Sequence, residues 1–121
     1  FISAEQGNTL ANYALGNMYY FGEGITKNYK LSFQSYLNAS LSGHPASKIN
    51  LGNLYFHGHG VKKNLPKAYL WWKIALDQNI NGADENIKML EEKFSKNEKK
   101  KAYSLYYKCL KITLLECSKL N

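Results

Sequence analysis

Residues 15–28 read LGNMYYFGEGITKN, and residues 51–64 read LGNLYFHGHGVKKN. The two stretches start 36 residues apart and share a leucine, three glycines and a lysine–asparagine pair at the same spacing. A fixed period of this length is typical of a repeat protein, in which each unit stacks on its neighbour. Repeat arrays usually present a continuous surface to a partner, so the period favours a binding role over a catalytic one.

Apolar side chains recur at helical spacing through most of the chain. In the first copy, Ala11, Leu15 and Met18 fall on one stripe of a helix. The same periodicity, read together with the turn residues, predicts helices with these bounds: 9–21, 29–42, 45–57, 65–78, 82–94 and 96–118. The sequence therefore predicts an all-α fold of stacked helix pairs, closed at its C-terminal end by one long capping helix.

The ends of these helices carry residues with known capping preferences. Asn28 and Asn64 each precede the second helix of a pair, where an asparagine side chain can accept a hydrogen bond from the first turn. The residues SKNE at 95–98 match a capping box. Gly16 and its equivalent Gly52 lie inside helices, where glycine costs about 1 kcal/mol relative to alanine. Their recurrence predicts that a second helix crosses closely at this point.

The chain has 121 residues and a net charge of +7, which is unevenly distributed. Residues 88–121 hold nine lysines and four glutamates, a net charge of +5. All sixteen basic residues are lysines, whereas nucleic-acid-binding proteins rely on arginine for bidentate contacts. We therefore expect no nucleic-acid partner. We interpret the basic segment as the solvated face of the capping helix, and the alternative is a surface for an acidic protein or an anionic membrane.

The two cysteines, Cys109 and Cys117, fall within the predicted last helix. On one continuous helix they would lie ~12 Å apart along the axis, too far for a disulfide bond. A disulfide would require the segment to bend between them. We interpret the two residues as half-buried free thiols.

Several classes of function find no support in the sequence. No apolar run approaches the ~18–20 residues of a transmembrane helix. His57 and His59 form a histidine pair, but no nearby cysteine or acid completes a set of metal ligands. The Gly-x-Gly turns follow helices rather than strands, which argues against phosphate-binding loops. No nucleophile motif or pair of catalytic carboxylates is recognisable. The sequence thus predicts no catalytic residue, no metal and no cofactor.

The repeated motif resembles the Sel-one-like repeat (SLR), a relative of the tetratricopeptide repeat. The resemblance rests on the spacing of a Leu-Gly pair, a tyrosine, a Gly-x-Gly turn, a Lys-Asn pair and an Ala-x-x-Trp element. In the second copy these are Leu51-Gly52, Tyr55, Gly58-His59-Gly60, Lys63-Asn64 and Ala68 with Trp71-Trp72. The units expected from it are a partial repeat over 1–14, full repeats over 15–50 and 51–86, a partial repeat over 87–94 and the capping helix over 95–121.

The resemblance implies antiparallel helix pairs stacked into a right-handed superhelical α-solenoid. It also implies an adaptor or scaffold for protein or peptide partners, frequently in bacterial envelope, secretion or host-interaction settings and in eukaryotic degradation complexes. Disulfide-linked members of the family carry a regular cysteine pair in each repeat, and this chain has no such pair in either full repeat.

A partner-binding strip is expected on the concave face, along the first helix of each pair. The face turned away from the second helix carries an asparagine among apolar or aromatic residues in both copies. Asparagine can bond an extended peptide through its donor and its acceptor, and aromatic rings add contact area at low entropic cost. The candidate residues are Tyr13, Asn17, Tyr20, Ile49, Asn53 and Phe56. The alternative is that they are ordinary surface and inter-repeat packing residues.

Two further interpretations compete with a concave-face adaptor. Residues 1–7 read as the tail of a preceding second-type helix, so the chain would be a fragment of a longer array. Phe1 and Ile2 would then form an exposed seam through which the protein could self-associate. The other interpretation is that the basic C-terminal helix binds acidic partners.

Overall fold

The computed structural model describes the backbone of residues 4–120 and the side chains of residues 8–120, and within that range it contains helices and no β-strand. The helices are α1 (Ala4–Phe21), α2 (Tyr29–Leu41), α3 (Pro45–His57), α4 (Leu65–Asp77), α5 (Ala83–Lys93), α6 (Lys96–Cys109) and α7 (Leu114–Ser118). α1 packs on α2, and α3 packs on α4. α2 also packs on α3 and so joins the two pairs. α5 and α6 cover α4. The predicted all-α solenoid of helix pairs is confirmed.

The predicted asparagine caps are both present. The Asn28 side chain accepts a hydrogen bond from the backbone amide of Leu31 at 3.0 Å. The Asn64 side chain accepts one from the backbone amide of Lys67, also at 3.0 Å. The capping box opened by Ser95 is present at the start of α6. The same local sequence therefore builds the same junction in both repeats, which fixes where the second helix of each pair begins.

The two helical glycines permit the close crossings that their recurrence predicted. A Cβ atom at Gly16 would lie 2.6 Å from Cδ1 of Tyr36. One at Gly52 would lie 2.9 Å from Cε2 of Trp72 and closer still to its Nε1. Trp72 is 1% exposed, and its Nε1 donates to the Ile49 carbonyl oxygen at 3.1 Å. In each repeat an aromatic ring of the second helix thus fills the notch that glycine leaves in the first.

One hydrophobic cluster runs from the first helix pair to α6. Its buried members are Tyr36, Leu51, Leu54, Tyr55, Ala68, Tyr69, Trp71, Trp72, Ile87, Leu90 and Ala102. Buried polar groups beside it are satisfied, as their desolvation requires. The Ser32 hydroxyl donates to the Gly16 carbonyl oxygen at 2.8 Å. Lys48 is 2% exposed, its ammonium donates to Gln78 Oε1 at 2.8 Å, and burial lowers its pKa.

The C-terminal segment differs from the sequence prediction. The expected helix over 96–118 is two helices, because α6 ends at Cys109 and a second capping box, opened by Thr113, starts α7. The chain turns between the two helices and brings the Cα atoms of Cys109 and Cys117 within 5.1 Å. The two cysteines form a disulfide bond, so the interpretation as free thiols was wrong.

The N-terminal segment also differs from its interpretation. Residues 4–7 belong to α1, which is 18 residues long, and they do not end a separate preceding helix. The start of α1 therefore lies before the predicted residue 9. The expected seam at Phe1 and Ile2 lies outside the described residues.

Within the described residues, α1 nevertheless exposes apolar side chains. Leu10 is 49% exposed and Leu15 is 37% exposed, whereas Leu51, which corresponds to Leu15 one repeat further on, is 0% exposed. α2 packs on α3, the helix that carries Leu51. The described structure offers α1 no such neighbour, and so leaves an apolar strip on this helix.

Candidate functional site

A hollow of about 630 Å³ lies between α1 and α3 and brings together four of the six predicted binding residues. We call it the α1–α3 hollow. Its predicted residues are Tyr13, Asn17, Tyr20 and Asn53. Its other lining residues are Phe21, Glu23, Tyr36, Asn50 and Leu54. The hollow is therefore rich in aromatic rings and side-chain amides, and it contains one carboxylate.

The other two predicted residues do not line this hollow. Ile49 is half-buried against the core, and its carbonyl oxygen accepts the indole hydrogen bond of Trp72. The ring of Phe56 packs against Trp72, with centroids 5.7 Å apart. The ammonium of Lys93, from α5, lies 5.5 Å from the Phe56 ring centroid. Phe56 thus lies on the side of α3 that faces α5, one repeat further along than Tyr20.

Tyr36 is a lining residue that the sequence analysis missed, because it belongs to the second helix of its pair. Its ring fills the notch at Gly16, and its hydroxyl donates to Oδ1 of Asn17. Tyr36 is 3% exposed, and burial raises the pKa of its hydroxyl to about 12. The hydroxyl is therefore a donor at neutral pH, and it leaves the Asn17 amide N–H groups for a partner. The sequence signal was the equivalence of Tyr36 with Trp72.

Two asparagines on α3 supply amides that are not used by the fold. Asn50 and Asn53 are both half-buried, and neither side chain hydrogen-bonds another group in the part of the chain that the structure describes. Each carboxamide carries two N–H donors and an acceptor oxygen. Asn53 was predicted, but Asn50 was not, because its equivalent in the first copy is Ala14 and the pattern does not repeat.

The histidine pair supports the edge of the hollow. The Tyr20 hydroxyl lies 3.2 Å from Nδ1 of His59, whose ring stacks on Tyr29 with centroids 4.2 Å apart. Burial lowers the pKa of His59, and the charges of His57 and Lys27 lower it further. The lowered pKa favours the neutral imidazole, whose Nδ1 accepts the Tyr20 hydrogen bond in the tautomer that carries its proton on Nε2. His59 thus ties the turn of the second repeat to the first.

The described residues form neither a metal site nor a membrane-spanning helix. Among residues 8–120, no three His, Cys, Asp or Glu side chains lie close enough together to hold a metal ion. The His57 and His59 rings instead stack, with centroids 5.3 Å apart. Over the helices described, none is long and apolar enough to cross a bilayer.

Stacked helix pairs built from a repeated sequence motif define the class of helical-repeat proteins. The sequence profile of the Sel1 repeat, the repeat that the motif resembles, matches residues 9–44 and 45–80, more than half of the chain. The protein belongs to the Sel1 repeat family. Members of this family are typically non-catalytic helical scaffolds that mediate protein interactions.

Two solved structures share this fold. One is a protective antigen present in uropathogenic Escherichia coli strains that displays an SLR fold. Its sequence is 25% identical to this chain and the TM-score is 0.81. The match covers 94% of this chain and 25% of the antigen. The other is a Sel1 repeat protein from Oxalobacter formigenes; it is 30% identical with a TM-score of 0.67, over 74% of this chain and 37% of that one. The chain thus spans 25% and 37% of the lengths of these two proteins. No curated protein is significantly similar to it.

Proposed function

We propose that this protein is a non-catalytic adaptor that binds an extended peptide segment of a partner protein in the α1–α3 hollow. The observation that carries the proposal is the pair of unused amides, Asn50 and Asn53, beside the rings of Tyr13, Tyr20 and Tyr36. An extended peptide exposes backbone N–H and C=O groups, and a side-chain amide can pair with both. Aromatic walls give its side chains contact area at low entropic cost. The interaction role typical of the Sel1 repeat family supports this proposal.

The double variant Asn50→Ala/Asn53→Ala should bind such a peptide at least tenfold more weakly than the wild type. Each amide hydrogen bond contributes about 0.5–1.5 kcal/mol, and a tenfold change in Kd corresponds to about 1.4 kcal/mol. The test peptide is selected against the wild-type protein from a random display library. Fluorescence anisotropy of the labelled peptide then gives the two dissociation constants.

The matched control is Asn38→Ala/Asn81→Ala, which removes two exposed asparagines outside the hollow. We expect its Kd to stay within twofold of wild type, and circular dichroism shows whether both variants are folded. Equal affinity of both double variants for every selected peptide would exclude the hollow as the site. Loss of affinity on Phe56→Ala alone would place the site on the α5 side of α3 instead.

The exposed strip on α1 favours a second candidate function, self-association. Leu15 is 37% exposed, whereas its equivalent Leu51 is buried. A helix from a second copy that packed on α1 would cover this apolar surface, as α2 covers part of α3. We propose that two copies associate through Leu10 and Leu15.

The variant Leu10→Lys/Leu15→Lys should remain monomeric at concentrations where the wild type forms dimers. The introduced ammonium groups would have to be desolvated in the interface, which is unfavourable without partners. Size-exclusion chromatography with light scattering, over a concentration series up to about 0.5 mM, measures the mass of each. A wild type that stays monomeric throughout the series would contradict this second candidate.

A further inference from the structure

A second depression, of about 850 Å³, lies between the first turn of α4 and one face of α6. It shares no lining residue with the α1–α3 hollow. We call it the basic cleft, because five lysines line it. They are Lys63, Lys67, Lys100, Lys101 and Lys108. Glu98 is the single acid among its lining residues.

The positive charge of the basic cleft is not neutralised by the fold. Among the described side chains, the ion pair that forms is Lys73 with Asp77, and neither residue lines the cleft. The Glu98 carboxylate accepts a hydrogen bond from the Ser95 backbone amide at 3.1 Å, as part of the capping box. Glu98 is therefore engaged by the start of α6. The five ammonium groups remain without a carboxylate partner.

The start of α4 adds to this charge. A helix N-terminus carries a partial positive charge that acidic residues normally offset, yet the first turn of α4 contains no acid. It contains Lys67, whose ammonium lies 5.4 Å from the ring centroid of Tyr55. Burial lowers the pKa of Lys67. The protein thus holds a half-buried ammonium beside four other lysines, an arrangement that a bound anion would stabilise.

The cleft also has an apolar component. Pro66 and Leu105 contribute to its lining, and Leu105 belongs to the buried contacts between α4 and the C-terminal helices. Lys101 and Lys108 are seven residues apart on α6, about 10.5 Å along the helix axis. An extended peptide advances about 3.3 Å per residue, so Lys101 and Lys108 lie about three residues of extended chain apart. Carboxylates spaced along such a peptide can reach both lysines while apolar side chains contact Pro66 and Leu105.

From this arrangement we propose that the basic cleft binds an acidic, extended peptide segment of a partner protein that also carries apolar side chains. Lysine ammonium groups act as point charges suited to single carboxylates, whereas nucleic-acid recognition favours the arginine that this chain lacks. A membrane surface is flat, whereas these lysines line a depression between two helices. The cleft is a second site, and its function does not depend on the hollow.

The direct test titrates the protein with a fluorescein-labelled decapeptide of alternating glutamate and alanine, in 50 mM and 200 mM salt. Affinity should fall at least threefold over this range, because salt screens exposed charges. A glutamine–alanine decapeptide should bind at least tenfold more weakly than the acidic one. The variant Lys100→Glu/Lys101→Glu/Lys108→Glu should also bind the acidic decapeptide at least tenfold more weakly than the wild type. Its three side chains are exposed on α6, so the fold should persist.

The matched control is Lys88→Glu/Lys99→Glu/Lys111→Glu, which changes the net charge equally at three exposed lysines outside the cleft. We expect its affinity for the acidic decapeptide to stay within threefold of the wild-type value. Equal losses in the two triple variants would show general charge attraction and overturn the proposal, as would no binding by the wild type in 50 mM salt. Tighter, cleft-dependent binding of a single-stranded oligonucleotide or of phosphatidylserine vesicles would overturn the assigned partner class. The variant Asn50→Ala/Asn53→Ala should bind the acidic peptide normally, which keeps the two sites distinguishable.

Discussion

Replacing Gly60 by alanine should lower the free energy of unfolding by about 2–5 kcal/mol. Gly60 has a φ of +78°, where an L-residue costs about 1–2 kcal/mol. A Cβ atom would also lie 2.6 Å from the carbonyl carbon of Tyr29, closer still to its oxygen, and 3.0 Å from the amide nitrogen of Lys30. This is the backbone at the start of α2, which cannot rotate aside as a side chain can. Overpacking of this kind adds about 1–3 kcal/mol, and urea denaturation measures the total.

Gly24 provides the matched control for this prediction, because it occupies the same repeat position. Its φ is +75°, but a Cβ atom there would meet only the methyl carbon of Met18, at 3.9 Å. Gly24→Ala should therefore lower the free energy of unfolding by only about 1–2 kcal/mol, which is the cost of an L-residue in the left-handed backbone conformation. The turn that contains Gly60 packs on α2, which belongs to the first repeat. Among the described residues, no helix packs in the same way beside Gly24. Equal losses for the two variants would contradict a tight contact between the Gly60 turn and α2.

The helix pairs could be predicted from sequence because short-range signals define their ends. α3 has the predicted bounds 45–57, and α2 and α4 each end one residue before the predicted position. The caps at Asn28 and Asn64 involve groups only three residues apart, so no knowledge of the tertiary fold is needed to find them. The close crossing at Gly52 was also predictable, because a costly helical glycine that recurs needs a packing reason.

The candidate hollow was predicted only in part, and helix geometry explains the omission. Equivalent positions in two repeats face equivalent grooves, whereas a hollow between α1 and α3 takes partly different positions from the two helices. Asn17 and Asn53 are the equivalent pair that both line it. Asn50 also lines the hollow, while Ile49 and Phe56 do not. Tyr36 reaches the same space from α2, through the notch at Gly16. Predicting it requires the packing of one helix against another, which apolar periodicity alone does not describe.

The bend after α6 was missed for a related reason. Leu110, Ile112 and Leu115 continue the apolar pattern beyond Cys109, which favoured one long helix. In the structure all three are exposed, at 59%, 37% and 50%. The overlooked signal was local, since Thr113 begins a capping box of the same kind as the one recognised before α6.

Reducing the disulfide between Cys109 and Cys117 should release α7 from α6 and lower the stability by about 2–3 kcal/mol. The chain-entropy treatment gives ~2.5 kcal/mol for a loop of this length. α7 has only five residues, far too few for a helix to persist alone in water. Its buried anchor, Cys117, is 2% exposed and packs with Leu70 and Leu105. Hydrogen exchange after reduction should show lost protection over residues 110–120, with α1–α4 unchanged.

The variant Cys117→Ala separates the covalent bond from the packing around it. It removes the bond but keeps a small apolar side chain against Leu70, so it should resemble the reduced wild type in stability and should not respond to reductant. If the reduced wild type keeps full protection in α7, the apolar contacts alone hold the helix and the prediction fails. The α6 lysines that line the cleft precede Cys109, and α6 contacts α4 directly. Reduction should therefore leave the acidic-peptide affinity of the basic cleft within twofold of its oxidised value.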